Sequence, residues 1–293
     1  MLYATYVLAI LIEVLLPFAL GIWFIRKYGT SWRLFGVGVL TFIASQIIHF
    51  PLLYGISELA KNSLANIPTG VLPFLNAVVL GLAAGICEET ARWVGYKILK
   101  NRANSFGAAL TIGAGHGGVE SFLVGLVVLA NFVVLLFVSS GKGAMLGLPP
   151  ETLAMMGPQI GALASMPWYT PLAGAIERIF AVTLHLSLSV MVWQAFSKRS
   201  WGWFIGAVLW HAFIDGVAVI MSSYQMNIWL IEGVIALIAV ANLVFLIWFG
   251  RRQAELEVEA AEDLAEAEEG ENLEAGDSAA VEPTDPTDPD KEA

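Results

Sequence analysis

Long apolar stretches, broken by short polar ones, run through most of this chain and set its architecture before any single residue is considered. A helix needs about 20 apolar residues to cross the hydrocarbon core, because lipid offers an open backbone no hydrogen-bond partner. Seven such stretches occur, at residues 3–25, 32–54, 71–96, 106–138, 170–197, 201–222 and 228–249. The pattern predicts an all-α, polytopic membrane protein of about seven transmembrane helices, forming one domain over residues 1–250. The fourth stretch is long enough to tilt or protrude. Residues 139–169, with Pro149, Pro150, Pro158 and the pair Met155–Met156, read as a plain external loop or as one holding a short interfacial or re-entrant helix that could act as a lid. The first stretch lacks a preceding basic segment and is too long for a cleaved signal.

Composition agrees and removes other classes. The chain is 57% hydrophobic and 14% charged, with a mean hydropathy of +0.72. A soluble domain carries about 25% charged residues, so an ordinary cytosolic globule is excluded. The net charge of −10 divides unevenly. Residues 251–293 hold 16 acids against 3 bases, a net of −13, and the remainder holds 9 acids against 12 bases, a net of +3. The acidity therefore belongs to a tail. Its Ala/Glu-rich start (253–269) can prolong the last helix, and its end, with Thr284-Asp285-Pro286 and Thr287-Asp288-Pro289, reads as disordered.

Positive charge then orients the spans. Arg26, Lys27, Arg33, Lys97, Lys100, Arg102, Lys198, Arg199, Arg251 and Arg252 flank one set of loops, while only Lys61 and Lys142 lie in the other. This predicts an external N-terminus and a cytoplasmic C-terminus in a cell membrane. Scattered bases exclude a nucleic-acid surface. A single cysteine, Cys87, excludes an internal disulfide and a zinc-cysteine motif, and reads as a small buried hydrophobe. The expected partners are membrane lipids and a membrane protein or peptide substrate, and the sequence names no oligomeric state.

Ionisable side chains inside a span are expensive, so each is a functional hypothesis. All four histidines (His49, His116, His185, His211) fall within spans. Glu88, Glu89, Glu120, Glu177 and Asp215 join them, with Arg92 and Arg178. Helical spacing puts Glu88 with Arg92, His116 with Glu120, and His211 with Asp215 on shared faces. At 1.5 Å per residue from the basic helix ends, Glu88, His116, His185 and His211 all lie roughly 13–20 Å deep, in one slab on four helices. Glu177 and Arg178 fall about 30 Å along, at the opposite end, and read as a structural or entrance pair. His49 beside Gln46 reads as packing at a helix end, and Glu13 and Glu232 stand alone in their spans. Gly113, Gly115, Gly117 and Gly118 surround His116, and about half of them are expected to serve ordinary close packing.

At these residues the chain resembles a known group. Glu88-Glu89-Thr90-Ala91-Arg92 matches the double-glutamate signature of the CAAX-protease and bacteriocin-processing superfamily. Gly113-Ala114-Gly115-His116-Gly117-Gly118-Val119-Glu120-Ser121, Glu177-Arg178 with His185, and His211-Ala212-Phe213-Ile214-Asp215-Gly216 resemble the YhfC-like branch, a relative of the PrsW proteases. The resemblance covers residues 70–225. It departs from the prenyl-protein proteases in carrying Glu120 where they carry a histidine. It implies a prokaryotic intramembrane endopeptidase with catalytic residues among Glu88, Glu89, Arg92, His116, Glu120, His185, His211 and Asp215. In that reading Glu88 or Glu89 activates water, His185 and His211 orient it or bind the oxyanion, and Glu120 and Asp215 fix histidine tautomers. The first expectation is a glutamic-type mechanism without a cofactor. The alternative is zinc held by His116, His185 and His211. Buried Glu, His and Asp chains also make proton relays, so a transporter or ion pathway is the rival class, although no inverted repeat accompanies it. A seven-span receptor is a third option, for which the midplane cluster is richer in charge than ligand binding needs.

Overall fold

The computed structural model describes residues 1–61 and 67–279. Among them are eight helices: α1 (Leu2–Tyr28), α2 (Trp32–Ala60), α3 (Leu72–Leu99), α4 (Phe106–Ser139), α5 (Pro150–Ser165), α6 (Thr170–Ser197), α7 (Trp201–Ser223) and α8 (Ile228–Ala279). Seven are long and apolar enough to cross a membrane, and they coincide with the seven expected spans. No strand occurs among the described residues.

Local chemistry sets several of the ends. Gly29 takes a left-handed conformation (φ 63°) just past α1, which costs glycine least. Ser105 accepts a hydrogen bond from the Ala108 amide at 3.1 Å and starts α4. Pro150 opens α5 and Pro171 opens α6, where a missing N–H is no loss.

The 139–169 connection is more ordered than a plain loop. It contains a short 3₁₀ turn at Gly143–Leu146 and then α5, whose 16 residues are too few to span. Ile160 of α5 is buried with Tyr6, Phe132 and Leu135, which fastens this helix to the ends of α1 and α4.

Residues 1–246 form one compact unit, and the chain from Ile247 onward forms another. In the first, α4 is the axis and packs against α1, α2 and α6, while α3 packs against α7 and α2. Asn242 ties α8 to its neighbours, accepting from Ser187 Oγ at 3.2 Å on its carbonyl and from Trp210 Nε1 at 3.0 Å on its side chain. Exposed Leu40, Ile47, Ile48, Val78, Val127, Leu237 and Val240 leave the outer face of the spans apolar. Such a surface suits lipid and not water. In the second unit the described residues are helical as far as Ala279, ten beyond the expected end at 269, and the proline-rich end at 280–293 lies outside the described residues.

Glycine permits the closest crossing. A Cβ added at Gly115 would stand 2.0 Å from the Phe35 carbonyl oxygen, and one at Gly38 2.1 Å from that of Ile112, so α2 and α4 touch backbone to backbone. Gly115→Val is expected to destabilise the protein by about 1–3 kcal/mol or more, as overpacking against rigid backbone does. Gly36→Ala, on the same helix α2 with nothing within 4 Å of its added Cβ, should leave the thermal midpoint in detergent unchanged. Equal midpoints for the two variants would contradict this account of the crossing.

Candidate active site

Four spans bring their ionisable residues together as their depths predict, and a fifth, α2, completes the cluster. Glu88, Glu89 and Arg92 come from α3, His116 and Glu120 from α4, Arg178 and His185 from α6, and His211 and Asp215 from α7. The imidazoles lie in a row, with ring centroids 5.2 Å apart from His116 to His185 and 5.5 Å from His185 to His211.

Arg92 sits at the centre of one half of the network and is wholly buried. It donates from Nη1 to Glu89 Oε2 at 2.5 Å and from Nη2 to His185 Nδ1 at 3.1 Å. Spacing puts both Glu88 and, nearly as well, Glu89 on the face of Arg92. The structure pairs Arg92 with Glu89 at i,i+3, and Glu88 turns to Gln46 of α2 and His116 of α4. Glu89 Oε1 accepts from His211 Nδ1 at 2.8 Å, so both oxygens of this fully buried carboxylate are occupied.

Hydrogen-bond donors fix all three tautomers. Arginine only donates, so His185 Nδ1 accepts, and its Nε2–H donates to Glu120 Oε2 at 2.6 Å. Thr41 spends its single proton on the Gly38 carbonyl at 2.7 Å, so it accepts from His116 Nδ1 at 2.9 Å. His211 donates from Nδ1 to Glu89. His116 therefore turns an Nε2 lone pair toward Glu88 Oε2 at 3.1 Å, and His211 Nε2 stands 4.0 Å from the same oxygen. His211 Nε2 also lies 3.5 Å from Asp215 Oδ2. The other oxygen of Glu88 accepts from Gln46 Nε2 at 3.1 Å, and Gln46 Oε1 accepts from His49 Nδ1 at 3.2 Å.

Several sequence expectations change here. Glu120 does not hold His116, its neighbour one turn away, but reaches across to His185. Arg178, expected away from the chemistry, donates to Glu120 Oε1 at 2.8 Å and to Glu177 Oε1 at 2.5 Å. Its long side chain covers the depth that residue counting assigned to it. His49 is linked to Glu88 through Gln46 and is more than helix-end packing. Thr41 and Gln46 were not anticipated. Their signal was a polar stripe on one face of α2, Thr41–Ser45–His49 at four-residue spacing with Gln46 beside it. Cys87 is buried and takes no part in these bonds.

A cavity of about 120 Å³ opens onto this cluster, lined by Glu88, Glu120, Arg178, His185, His211 and Asp215. Glu89 and Arg92 do not reach it. The donor set suits a divalent cation. Glu88, His116 and His185 each offer an atom within 4.8 Å of the others, a spacing that metal–ligand bonds of about 2.0–2.2 Å require. His185 serves there only once its Nε2 proton has passed to Glu120, and His211 Nε2, 4.0 Å from Glu88 Oε2, is the other imidazole nitrogen at hand. The His116 lone pair aimed at a carboxylate oxygen 3.1 Å away also calls for a proton or a cation between them. Thr41 and Glu89, each accepting the far N–H of a histidine, are the outer partners that metal-bound imidazoles take.

Removing one partner from a buried ion pair strands the other charge and costs about 3–5 kcal/mol. Arg92→Met is accordingly expected to lower the thermal midpoint sharply or to abolish monodisperse expression. Arg252→Met, which removes an exposed pair with Glu255, should do neither, and a mild Arg92→Met would refute the central role of this guanidinium.

Comparison with known proteins agrees with the cluster. The chain is 30% identical, over 246 residues, to the "Uncharacterized membrane protein YhfC" of Bacillus subtilis (strain 168), a match covering 80% of this chain and 92% of that protein. No solved structure matches. The family description carries the metal alternative and gives no support to the metal-free, glutamic-type expectation. The family model described as YhfC intramembrane metalloprotease matches residues 12–235, which contain every residue of the cluster, and this multi-pass membrane protein therefore belongs to that protease family.

Proposed function

We propose that this protein hydrolyses peptide bonds of membrane-embedded or membrane-associated substrates at Glu88, His116, His185 and His211. The observation that carries the reading is the meeting of Glu88 with the Nε2 atoms of His116 and His211 beside a cavity that Glu88 and His211 line. A structural ion pair needs none of that convergence.

The two glutamates divide the work. Glu89 is saturated by Arg92 and His211, so it orients and does not react. Glu88 lines the cavity and keeps Oε2 directed at the open nitrogens. Glu88, His116 and His211 would hold the divalent metal. When bound there, it polarises the scissile carbonyl and acidifies water. Asp215, whose side chain is 37% exposed on the same cavity, accepts the proton from water as the oxygen bonds to the carbonyl carbon. The C–N bond then breaks and the same proton passes to the leaving amine. His185, held by Arg92, presents its Nε2–H where Glu120 now accepts it, a donor suited to the oxyanion.

A second reading keeps Glu88 as the general base in a site without metal. The bond from Gln46 Nε2 to Glu88 Oε1 favours it, because it fixes the carboxylate without neutralising it.

Substrate class follows from a groove of about 530 Å³ between α2 and α4, lined by Phe42, Ile43, Ile47, Phe50, Leu123 and Val127. Its walls are apolar except for Gln46 and Glu120, which also belong to the cluster. An apolar peptide segment lying in the bilayer fits such walls.

With a membrane-peptide library, Glu88→Gln should abolish cleavage, and cleavage at the wild-type rate would refute the peptidase reading. Thr41→Val should weaken metal retention or activity about 10–100-fold, as loss of an outer partner does, with Thr41→Ser restoring most of it. Elemental analysis and assay after chelation separate the two mechanisms: full activity in metal-free protein rules out the metal and keeps Glu88 as base.

A further inference from the structure

Hydrolysis consumes water, and the centre is enclosed by spans whose outer faces are apolar. A second cavity, of about 320 Å³, lies among α1, α4, α5 and α6, with Tyr6, Glu13, Asn131, Met166 and Gly174 in its wall. Glu177 and Arg178 belong to this wall and to that of the centre, and among the described residues they alone are common to both. Arg178 thus stands on both walls, bonding Glu120 with one nitrogen and Glu177 with the other.

Glu13 points to what fills the outer cavity. It is 1% exposed, and among the described residues nothing bonds its Oε2. It is tightly set, since a Cβ added at Gly125 would meet Glu13 Cβ at 2.9 Å. A buried carboxyl oxygen without a protein partner, in a space with room for several waters whose largely apolar wall also carries Asn131, Thr170, Glu177 and Arg178, is a hydration site. The cavity also lies beneath α5, the helix that Ile160 fastens over the ends of α1 and α4.

We propose that the Glu13 cavity supplies the centre with water from the α5 end of the molecule, and that Arg178 with Glu177 is the gate between them. This rests on the hydrolytic reading above. Arg178 is a positioning residue here, acting through Glu120 and the passage and not on the substrate.

The test follows water access and not cleavage. Ala181, on the wall of the centre's cavity, is changed to Cys in a Cys87→Ala background. The full chain is reconstituted in oriented liposomes, and a charged, membrane-impermeant methanethiosulfonate is added on the α5 side. The expected result is labelling of Ala181→Cys, slowed by about tenfold, a ratio equivalent to about 1.4 kcal/mol, by either of two plugs. Gly174→Leu fills the cavity from a site where an added Cβ meets nothing within 4 Å, and Val128→Phe fills it from α4. Arg178→Ala should speed labelling. Ser197→Cys, exposed at the far end of α6 and labelled from the opposite side, should keep its rate in every folded variant. The route is overturned if Ala181→Cys is unlabelled from the α5 side, labels faster from the other side, or ignores both plugs. Labelling as expected in a protein that cleaves nothing would instead sink the peptidase reading and keep the route.

Discussion

Arg92 is the side chain on which the other polar groups depend. A charge enclosed by a membrane bundle has no water to fall back on, so its partners must come from the protein. Arg92 finds Glu89 and His185, on two helices. Glu89 in turn fixes His211, and His185 fixes Glu120, which receives Arg178. One guanidinium thus sets the tautomers of two of the three histidines and links α3, α4, α6 and α7 by bonds that exist in only one arrangement. Tyr96, one turn from Arg92, adds a bond from its hydroxyl to the Ser189 carbonyl at 3.0 Å and keeps α3 against α6 at the same level.

Such a network needs helix axes closer than leucine or valine allow. The glycines of α4 supply this toward two helices: an added Cβ would crowd α6 at Gly113 (the Ser189 side chain) and at Gly117 (the His185 side chain, at 2.7–2.9 Å), and the α2 backbone at Gly115. All four glycines around His116 meet a neighbour, because Gly118 lies against Pro17 of α1. Ordinary packing and site formation are therefore the same event along this segment. His116 reaches both Thr41 and Glu88 because nothing larger than hydrogen stands beside it on α4.

The spans were legible because lipid demands long apolar helices, and the site was legible because charge is so rare within them. Glu88, His116, His185 and His211 share a depth that residue counting alone recovers. What escaped was pairing and the neutral partners. A count along one helix cannot say that Glu120 prefers the His185 of another helix to the His116 beneath it, since that choice depends on how α4 and α6 are rotated. Thr41 and Gln46 cost little in lipid and so raise no alarm, threonine bonding its own helix backbone at Gly38. Arg178 was placed by its Cα, whereas the charge sits at the end of a long, flexible stem. The helix at Pro150–Ser165 has three prolines in or near it and only one buried residue, Ile160, so its pattern was too weak to separate from a loop.

A charge count gives the cluster its last property. Arg92 and Arg178 bring two positive charges to five carboxylates: Glu88, Glu89, Glu120, Glu177 and Asp215. With the three imidazoles neutral, as their fixed hydrogen bonds allow, the cluster is short of three positive charges. Arg92 matches Glu89, while Glu120 and Glu177 share Arg178 and account for one of the missing charges; the other two fall at Glu88 and Asp215, the carboxylates without a guanidinium. Both face His211 Nε2 across the same cavity. A low-dielectric interior does not tolerate an unneutralised pair of this kind, so positive charge must be taken up there, as protons or as a divalent cation. The same deficit that would hold a metal therefore also provides, in Asp215, an acceptor for the proton that hydrolysis releases.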